Sequence, residues 1–327
     1  MKAAIIGCGL IGQKRAKTLS LSGCSLTACA DIVKERAESL ARMNPGTQPV
    51  TDWRTVIGKK DVDIVIVATP HNLLAEITLA AVSAGKHVLV EKPAARRAKE
   101  LEPVIQAARS TEVLVRVGFN HRYHPAVRKA REITESGCLG ELMYIRGRYG
   151  HGGRIGYEKE WRANPEVSGG GELIDQGTHL IDLSRWFLGE FTEIQGLART
   201  YYWRMPADDN AFMLLRTAKR QTAFLHASCT EWKNLFSLEI FGQKGKLEIS
   251  GLGGSYGTER LTHYRMSPQM GPPETTVLEY PMQDISWQTE FAEFMEDIRL
   301  KRQPAVGLQD ARAVLQVVER IYEVSKL

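Results

Sequence analysis

The stretch Ala3-Ala4-Ile5-Ile6-Gly7-Cys8-Gly9-Leu10-Ile11-Gly12 opens the chain, and Asp31 follows nineteen residues after the last of these glycines. A short apolar run, suited to a strand buried on both faces, feeds straight into G-x-G-x-x-G and a helix-like segment. Gly7 suits a sharp turn. Gly9 lets the backbone approach a pyrophosphate, and Gly12 lets the new helix pack close to the strand. The N–H groups of the first helical turn, which holds Leu10 and Ile11, offer a partial positive charge to phosphates. A second strand-like segment, Leu26 to Ala30, delivers Asp31, whose carboxylate can accept from a ribose 2′-OH and repel a 2′-phosphate. The pattern predicts a bound dinucleotide, and NAD in preference to NADP, although Lys34 and Arg36 stand close by.

The segments downstream continue the alternation. Strands are expected at 3–7, 26–31, 62–69, 87–91 and 113–118, with helices at 10–22, 33–43, 73–84 and 96–110. Asp63-Ile64-Val65-Ile66-Val67-Ala68 is rich in β-branched residues, as a doubly buried strand should be. This predicts an α/β fold with a doubly wound parallel sheet over residues 1–121. Ligands of such sheets lie at the carboxyl ends of the strands, which adds Thr69, Pro70, Glu91 and Lys92 to the cofactor side. After about residue 120 the pattern changes. A second, α+β domain over 122–327 is expected, with an open, mainly antiparallel sheet from strands at 142–149, 193–203, 210–217, 221–229, 235–241 and 245–250. Its helices are expected at 124–136, 172–188, 286–300 and 309–325, the last packing back on the first domain. Gly251, Gly253, Gly254, Pro268, Pro272 and Pro273 mark a stretch read as loop.

Three clusters carry residues suited to chemistry. Lys92, in Glu91-Lys92-Pro93, stands at a strand end where Pro93 stops the ladder; a lysine there can hydrogen-bond a substrate hydroxyl, or be a plain surface lysine. Gly169-Gly170-Gly171-Glu172-Leu173-Ile174-Asp175-Gln176-Gly177-Thr178-His179 places Asp175 and His179 four apart on one helix face. A carboxylate beside an imidazole can raise its basicity for taking a hydroxyl proton, or can simply stabilise the helix. Asn120 and Arg122, in Gly118-Phe119-Asn120-His121-Arg122-Tyr123-His124, are candidate substrate contacts or junction hydrogen bonds. Trp161 and Arg162 could meet a sugar face or a phosphate, or anchor their loop.

Bulk properties narrow the class. The chain has 327 residues, 43% hydrophobic and 25% charged, with a net charge of +5 spread along it. With no dense Lys/Arg block, no nucleic-acid partner is expected, and no run of apolar residues is long enough for a membrane span. The five cysteines, Cys8, Cys24, Cys29, Cys138 and Cys229, show no CxxC pairing and no histidine at metal spacing, so no metal site is expected. A strand beginning at residue 3 leaves no room for a signal peptide, and a cytoplasmic protein is expected.

Taken together, Ile6-Gly7-Cys8-Gly9-Leu10-Ile11-Gly12, Ala68-Thr69-Pro70, Glu91-Lys92-Pro93, Asn120 with Arg122, and the segment 169–182 resemble the Gfo/Idh/MocA family of nicotinamide-dependent oxidoreductases over essentially the whole chain. The resemblance implies a Rossmann domain that holds the cofactor, a substrate between the two domains, and an open sheet that forms subunit interfaces. It implies His179 as proton acceptor, Asp175 and Lys92 holding the reacting hydroxyl, and often a cis Lys92–Pro93 bond. It departs at Leu74, where many members carry a histidine. The function implied is an NAD-dependent dehydrogenase oxidising a secondary hydroxyl of a small-molecule sugar or nucleotide-sugar substrate. By analogy through the Arg/Trp/Tyr-bearing segment 144–162, the substrate expected is a nucleotide-linked amino sugar such as UDP-N-acetylglucosamine, oxidised at its 3-OH. The alternatives are a free-sugar or inositol dehydrogenase, an NAD-dependent redox-neutral glycoside hydrolase, and a non-catalytic NAD(P) sensor. A homodimer or homotetramer is expected, because an open sheet needs its exposed face covered.

Overall fold

The computed structural model describes residues 1–269 and 271–325. The N-terminal elements are β1 (Lys2–Ile6), α1 (Leu10–Leu21), β2 (Ser25–Ala30), α2 (Lys34–Met43), β3 (Gln48–Val50), α3 (Trp53–Ile57), β4 (Ile64–Val67), α4 (His71–Ser83), β5 (His87–Glu91), α5 (Glu102–Ser110) and β6 (Val115–Gly118). The six strands form one parallel sheet in the order β3-β2-β1-β4-β5-β6. Strand order reverses between β1 and β4, and the ligand crevice of such sheets lies there. Ile64, Val65, Ile66 and Val67 are all fully buried, as a central strand between helical layers requires. The alternation is as the sequence predicts, with two additions. β3 is a three-residue edge strand containing Pro49, tolerated because an edge needs fewer donors. α3 is one turn, capped by the Asp52 side chain on the Arg54 N–H at 3.0 Å. The helix expected from residue 96 begins instead as a 3-10 turn at Ala98–Leu101, and the α-helix starts at Glu102 with Pro103 in its first turn.

The remaining elements are α6 (Pro125–Glu135), β7 (Leu142–Gly150), α7 (Pro165–Ser168), α8 (Thr178–Leu188), β8 (Phe191–Arg199), β9 (Asn210–Thr217), β10 (Thr222–Ser228), β11 (Leu235–Gly242), β12 (Gly245–Ser250), β13 (Glu259–Arg265), β14 (Glu274–Tyr280), α9 (Ser286–Leu300) and α10 (Leu308–Ser325). Eight strands form the second sheet, β14-β13-β12-β11-β7-β10-β9-β8, antiparallel throughout except for β7 with β10. One face carries α8. Gly147 on β7 makes room for it: a Cβ there would press on Leu225, Leu238 and the α8 residue Leu180 at 3.0–3.2 Å. The opposite face exposes Tyr144, Leu214 and Phe224.

Three expectations need correction here. The stretch marked by Gly251 to Pro273, read as loop, contains β13, and β14, for which no strand was expected, follows it; the flanking prolines and glycines obscured the alternation of both. β8 ends at Arg199 rather than 203, because the Asp209 carboxylate takes the N–H groups of Tyr201, Tyr202 and Trp203 at 2.7–3.0 Å and pulls them off the ladder. The helix expected from 172 opens with a π-helical turn, Leu173–Gly177, before α8.

The chain divides into two compact units, Met1–Phe119 with Trp287–Arg312, and Asn120–Ser286 with Ala313–Leu327, of which residues 270, 326 and 327 lie outside the description. No helix among the described residues is long and apolar enough to cross a membrane.

Candidate active site

In the first unit, the loop after β1 forms a cradle. Gly7 has φ +97°, and a Cβ there would lie 2.3 Å from the Ala68 carbonyl oxygen. A Cβ on Gly12 would lie 2.0 Å from the Gly7 carbonyl oxygen. Both glycines are therefore demanded by the protein's own packing. Gly9 differs: a Cβ there meets nothing within 4 Å among the described residues. Its bareness leaves space beside the N-terminus of α1, whose first turn carries no acidic residue and no side-chain cap. A pyrophosphate fits that arrangement, with backbone N–H groups and the helix dipole as its partners. Leu10, largely exposed, and Ile11 stand on this turn.

Asp31 follows β2. Its Oδ2 accepts from the Cys8 N–H at 2.8 Å and its Oδ1 from the Val33 N–H at 2.9 Å, so the carboxylate is fixed beside the cradle. Ile32, next to it, is 90% exposed. Lys34 is paired with Glu38 at 3.6 Å. Thr69 and Pro70 are half-buried at the end of β4, where Pro70 caps α4.

β5 ends in Glu91, with half-buried Lys92 next and a cis bond to Pro93. Arg15 of α1, fully buried, donates through Nε to Glu91 at 2.6 Å and through Nη1 to Glu290 of α9 at 2.6 Å. Gly118 admits this triad, since a Cβ there would lie 2.8 Å from Arg15 Nη2. Burial pushes the Glu290 carboxyl up to about 7, against the pull of Arg15 and with the help of nearby Glu91. The Glu91 side chain is thus tied to Arg15, and the strand end that carries Lys92 is anchored from two helices.

In the second unit, His179 lies on α8 and is buried. Its ring stacks on His121 with centroids 3.8 Å apart and planes 26° from parallel, and Tyr149 meets it edge-on at 5.9 Å. The stack has a clamp: Arg122 Nε and Nη2 donate to Asp182 Oδ2 and Oδ1 at 2.8 and 2.6 Å, joining the 3-10 turn Asn120–Tyr123 to α8. Asn120 donates to Ser286 Oγ at 2.9 Å, and its Oδ1 lies 3.2 Å from His121 Nδ1. Asn120 and Arg122, candidate substrate contacts by sequence, are both buried and bound to protein groups that fix His121.

Asp175 sits in the π-turn. Arg162 Nε donates to its Oδ2 at 3.0 Å, and the Arg162 guanidinium lies over the Trp161 ring at 4.5 Å. Beside it, Glu172 accepts from the Tyr157 hydroxyl at 2.7 Å and lies 3.4 Å from His151 Nε2. Burial alone would depress the His151 pKa, but the hydrogen bond and charge of Glu172 hold it above its ordinary value. Burial and the same carboxylate raise the Tyr157 hydroxyl. The backbone is positioned by buried Asp208, which accepts from the N–H groups of Gly171 and Leu173 and from the Tyr322 hydroxyl at 2.7–2.8 Å. Burial pushes the Asp208 carboxyl up to about 6. Gly171 is obligatory, since a Cβ there would lie 1.9 Å from the Asp208 carbonyl oxygen. The second unit therefore brings Asp175, Arg162 and Trp161 together. His121, Tyr149, His151 and Tyr157 escaped the sequence reading as site residues, although His121 lay in the singled-out stretch 118–124 and the other three in the segment 144–162.

Residues 1–119 match the Gfo/Idh/MocA oxidoreductase family's NAD-binding Rossmann domain, and residues 127–248 match the family's C-terminal domain. A levoglucosan dehydrogenase from Pseudarthrobacter phenanthrenivorans is 33% identical over 192 residues, 58% of this chain and 49% of that protein. The chain thus aligns with about half the length of several of its curated relatives. The scyllo-inositol 2-dehydrogenase (NAD(+)) of Bacillus subtilis is 26% identical over 97% of this chain and 92% of its own. Among solved structures, levoglucosan dehydrogenase in complex with NADH and L-sorbose superposes with a TM-score of 0.90 at 23% identity, covering 100% of this chain and 97% of that one. The cradle, the fixed Asp31 and the two matched domains identify the chain as a member of the Gfo/Idh/MocA family of oxidoreductases with an NAD-binding Rossmann domain.

Proposed function

We propose that this protein is an NAD-dependent dehydrogenase that oxidises a secondary hydroxyl of a sugar or polyol ring to a ketone. The observation that carries this reading is buried His179, stacked on His121 one turn along from Asp175, in a chain with an NAD cradle. Bound NAD supplies a hydride acceptor. The residues of this chain do the rest. The N–H groups at Gly9 to Gly12 hold the pyrophosphate, and Asp31 holds the adenosine ribose. Lys92 and Asp175 hold the reacting hydroxyl, and His179 takes its proton as the ring hydrogen departs as hydride, leaving a C=O. A positioned base of this kind contributes about 10²–10⁴-fold. The Asp31 charge supports NAD over NADP.

The named relatives act on levoglucosan and inositol, polyhydroxylated rings without a nucleotide, which supports an unlinked sugar or polyol as substrate over a nucleotide-linked amino sugar. The exposed Tyr144, Leu214 and Phe224 on one face of the second sheet support a homo-oligomer.

The test is absorbance in the reduced-nicotinamide band with NAD or NADP and a panel of free sugars, levoglucosan, inositols and UDP-sugars. A rise with NAD and a free sugar or polyol is expected, abolished in Lys92→Ala with NADH binding kept. A rise with UDP-N-acetylglucosamine alone would move the substrate to nucleotide sugars. Free sugar released without net NADH would indicate a hydrolase, and tight NAD binding with no turnover of any kind would indicate a sensor.

A further inference from the structure

Arg15 is among the largest side chains that the first unit buries completely. It stands about one and a half turns along α1 from Leu10, below the cofactor cradle. Its guanidinium is held on two edges and on a face. Nε and Nη1 donate to Glu91 and Glu290 at 2.6 Å each, and the Trp287 ring lies against the plane at 4.4 Å. Gly118, at the end of β6, keeps the space open, since a Cβ there would lie 2.8 Å from Arg15 Nη2 and 3.0 Å from Glu91 Oε2.

The triad reaches Lys92 through Glu91. The Ala94 N–H donates to the Glu91 carbonyl at 2.9 Å and closes the turn on which Lys92 sits. Glu91 therefore has two tasks: its side chain is tied to α1 and α9, and its carbonyl holds the Lys92 turn. Because α1 starts beside Gly9, the pyrophosphate cradle and Lys92 are the two ends of one path, through α1, Arg15 and Glu91.

Adhesion between these elements does not call for charge. Apolar side chains of similar volume would pack β5 against α1 and α9 without the cost of taking two carboxylates and a guanidinium out of water. What the charges add is direction. A guanidinium fork accepts its carboxylates only along set lines in its own plane, so the strand end is fixed in register and not merely in contact. A residue that holds a reacting hydroxyl needs that precision, because a displacement of about 1 Å can cost about 10²-fold in rate.

We propose that Arg15 is a positioning residue for the reaction, which holds Lys92 in register with the cofactor cradle through its bond to Glu91. This rests on the reading of Lys92 as a residue that holds the reacting hydroxyl. The test treats the whole protein with acetic anhydride and follows acetylation of Lys92 by peptide mass spectrometry, with exposed Lys99 as reference. Arg15→Lys gives an ammonium without the fork, and Gly118→Ala presses on the triad without altering its charge. In each, Lys92 should react about threefold faster or more, relative to Lys99, than in the wild type. Asp297→Asn weakens a different buried pair, with Arg116, and should lower the Tm without altering that ratio. With the sugar or polyol that the wild type oxidises fastest, Arg15→Lys should lower kcat about tenfold or more and leave KM for NAD nearly constant. An unaltered Lys92 ratio in both variants, an equal rise in Asp297→Asn, or a loss carried by KM for NAD would each overturn the proposal. The two readings fail separately. Faster Lys92 acetylation in a protein whose wild type oxidises no sugar would uphold the coupling and remove the dehydrogenase, and sugar oxidation with unaltered acetylation would overturn the coupling alone.

Discussion

The imidazole of His179 lies on that of His121 with ring centroids 3.8 Å apart, and the neighbouring Arg122–Asp182 pair holds the two segments together. On the proposed reading of His179 as the base, His121 acts through it. Ring pairs of this kind contribute about 0.5–1.5 kcal/mol, so His121→Ala should lower kcat by about threefold to tenfold with a smaller change in KM. His121→Phe should restore most of the loss. Steady-state kinetics of both variants would show it, and equal losses in the two would point to a polar role for His121 instead.

Gly9 and Gly12 of the cradle should part company on mutation. Gly9→Ala introduces a Cβ that meets nothing among the described residues, at φ −70° and ψ −164°, which alanine accepts. It should leave stability within about 0.5 kcal/mol and weaken NADH binding at least tenfold. Gly12→Ala drives a Cβ to 2.0 Å from a backbone oxygen and should cost about 3 kcal/mol or more. Thermal melts and NADH titrations check both. A stable Gly9→Ala with unchanged affinity would contradict the cradle.

On the proposed reading, Asp31 sets the cofactor preference by charge. Asp31→Asn keeps the side-chain size and removes the repulsion toward a 2′-phosphate. Hydrogen bonds to a charged group contribute about 1.5–3 kcal/mol, so NAD affinity should fall at least about tenfold while NADP affinity rises. Competition titrations with the two reduced cofactors read this directly, and an unchanged ratio would remove Asp31 from the recognition of the ribose.

Glu290 should make stability depend on pH. Its folded pKa, about 7, lies above the ordinary carboxyl value of 4.5, so the fold favours the protonated form. That contribution is fully present below the unfolded value and is lost as pH rises through the folded one. The Tm of the wild type should therefore fall relative to Glu290→Gln between about pH 5 and 8. A constant difference across that range would show that Glu290 does not titrate there.

Much of the first unit was legible because its signals are local. β1, the glycine loop and α1 are contiguous, and the apolar runs of β4 and β5 carry their own periodicity. β3 and α3 were not, since Gln48-Pro49-Val50 is too short to show alternation. The second unit depends on distant partners. The π-turn at Leu173–Gly177 is set by Asp208, thirty-five residues after Leu173, and no spacing rule connects the two. The sequence placed Asp175 four residues before His179 and saw no further partner, whereas the fold brings Arg162 to Asp175 from a separate loop. His121 became a site residue only through its stack on His179, a contact across fifty-eight residues of chain.

The most direct test of the central claim follows the hydrogen itself. The protein would be incubated with NAD and perdeuterated sugars or inositols, and the reduced cofactor analysed by mass spectrometry. Hydride transfer from the ring predicts deuterium in the NADH and a keto product of the sugar. NADH without the label, or a sugar product with no change in oxidation state, would contradict the account.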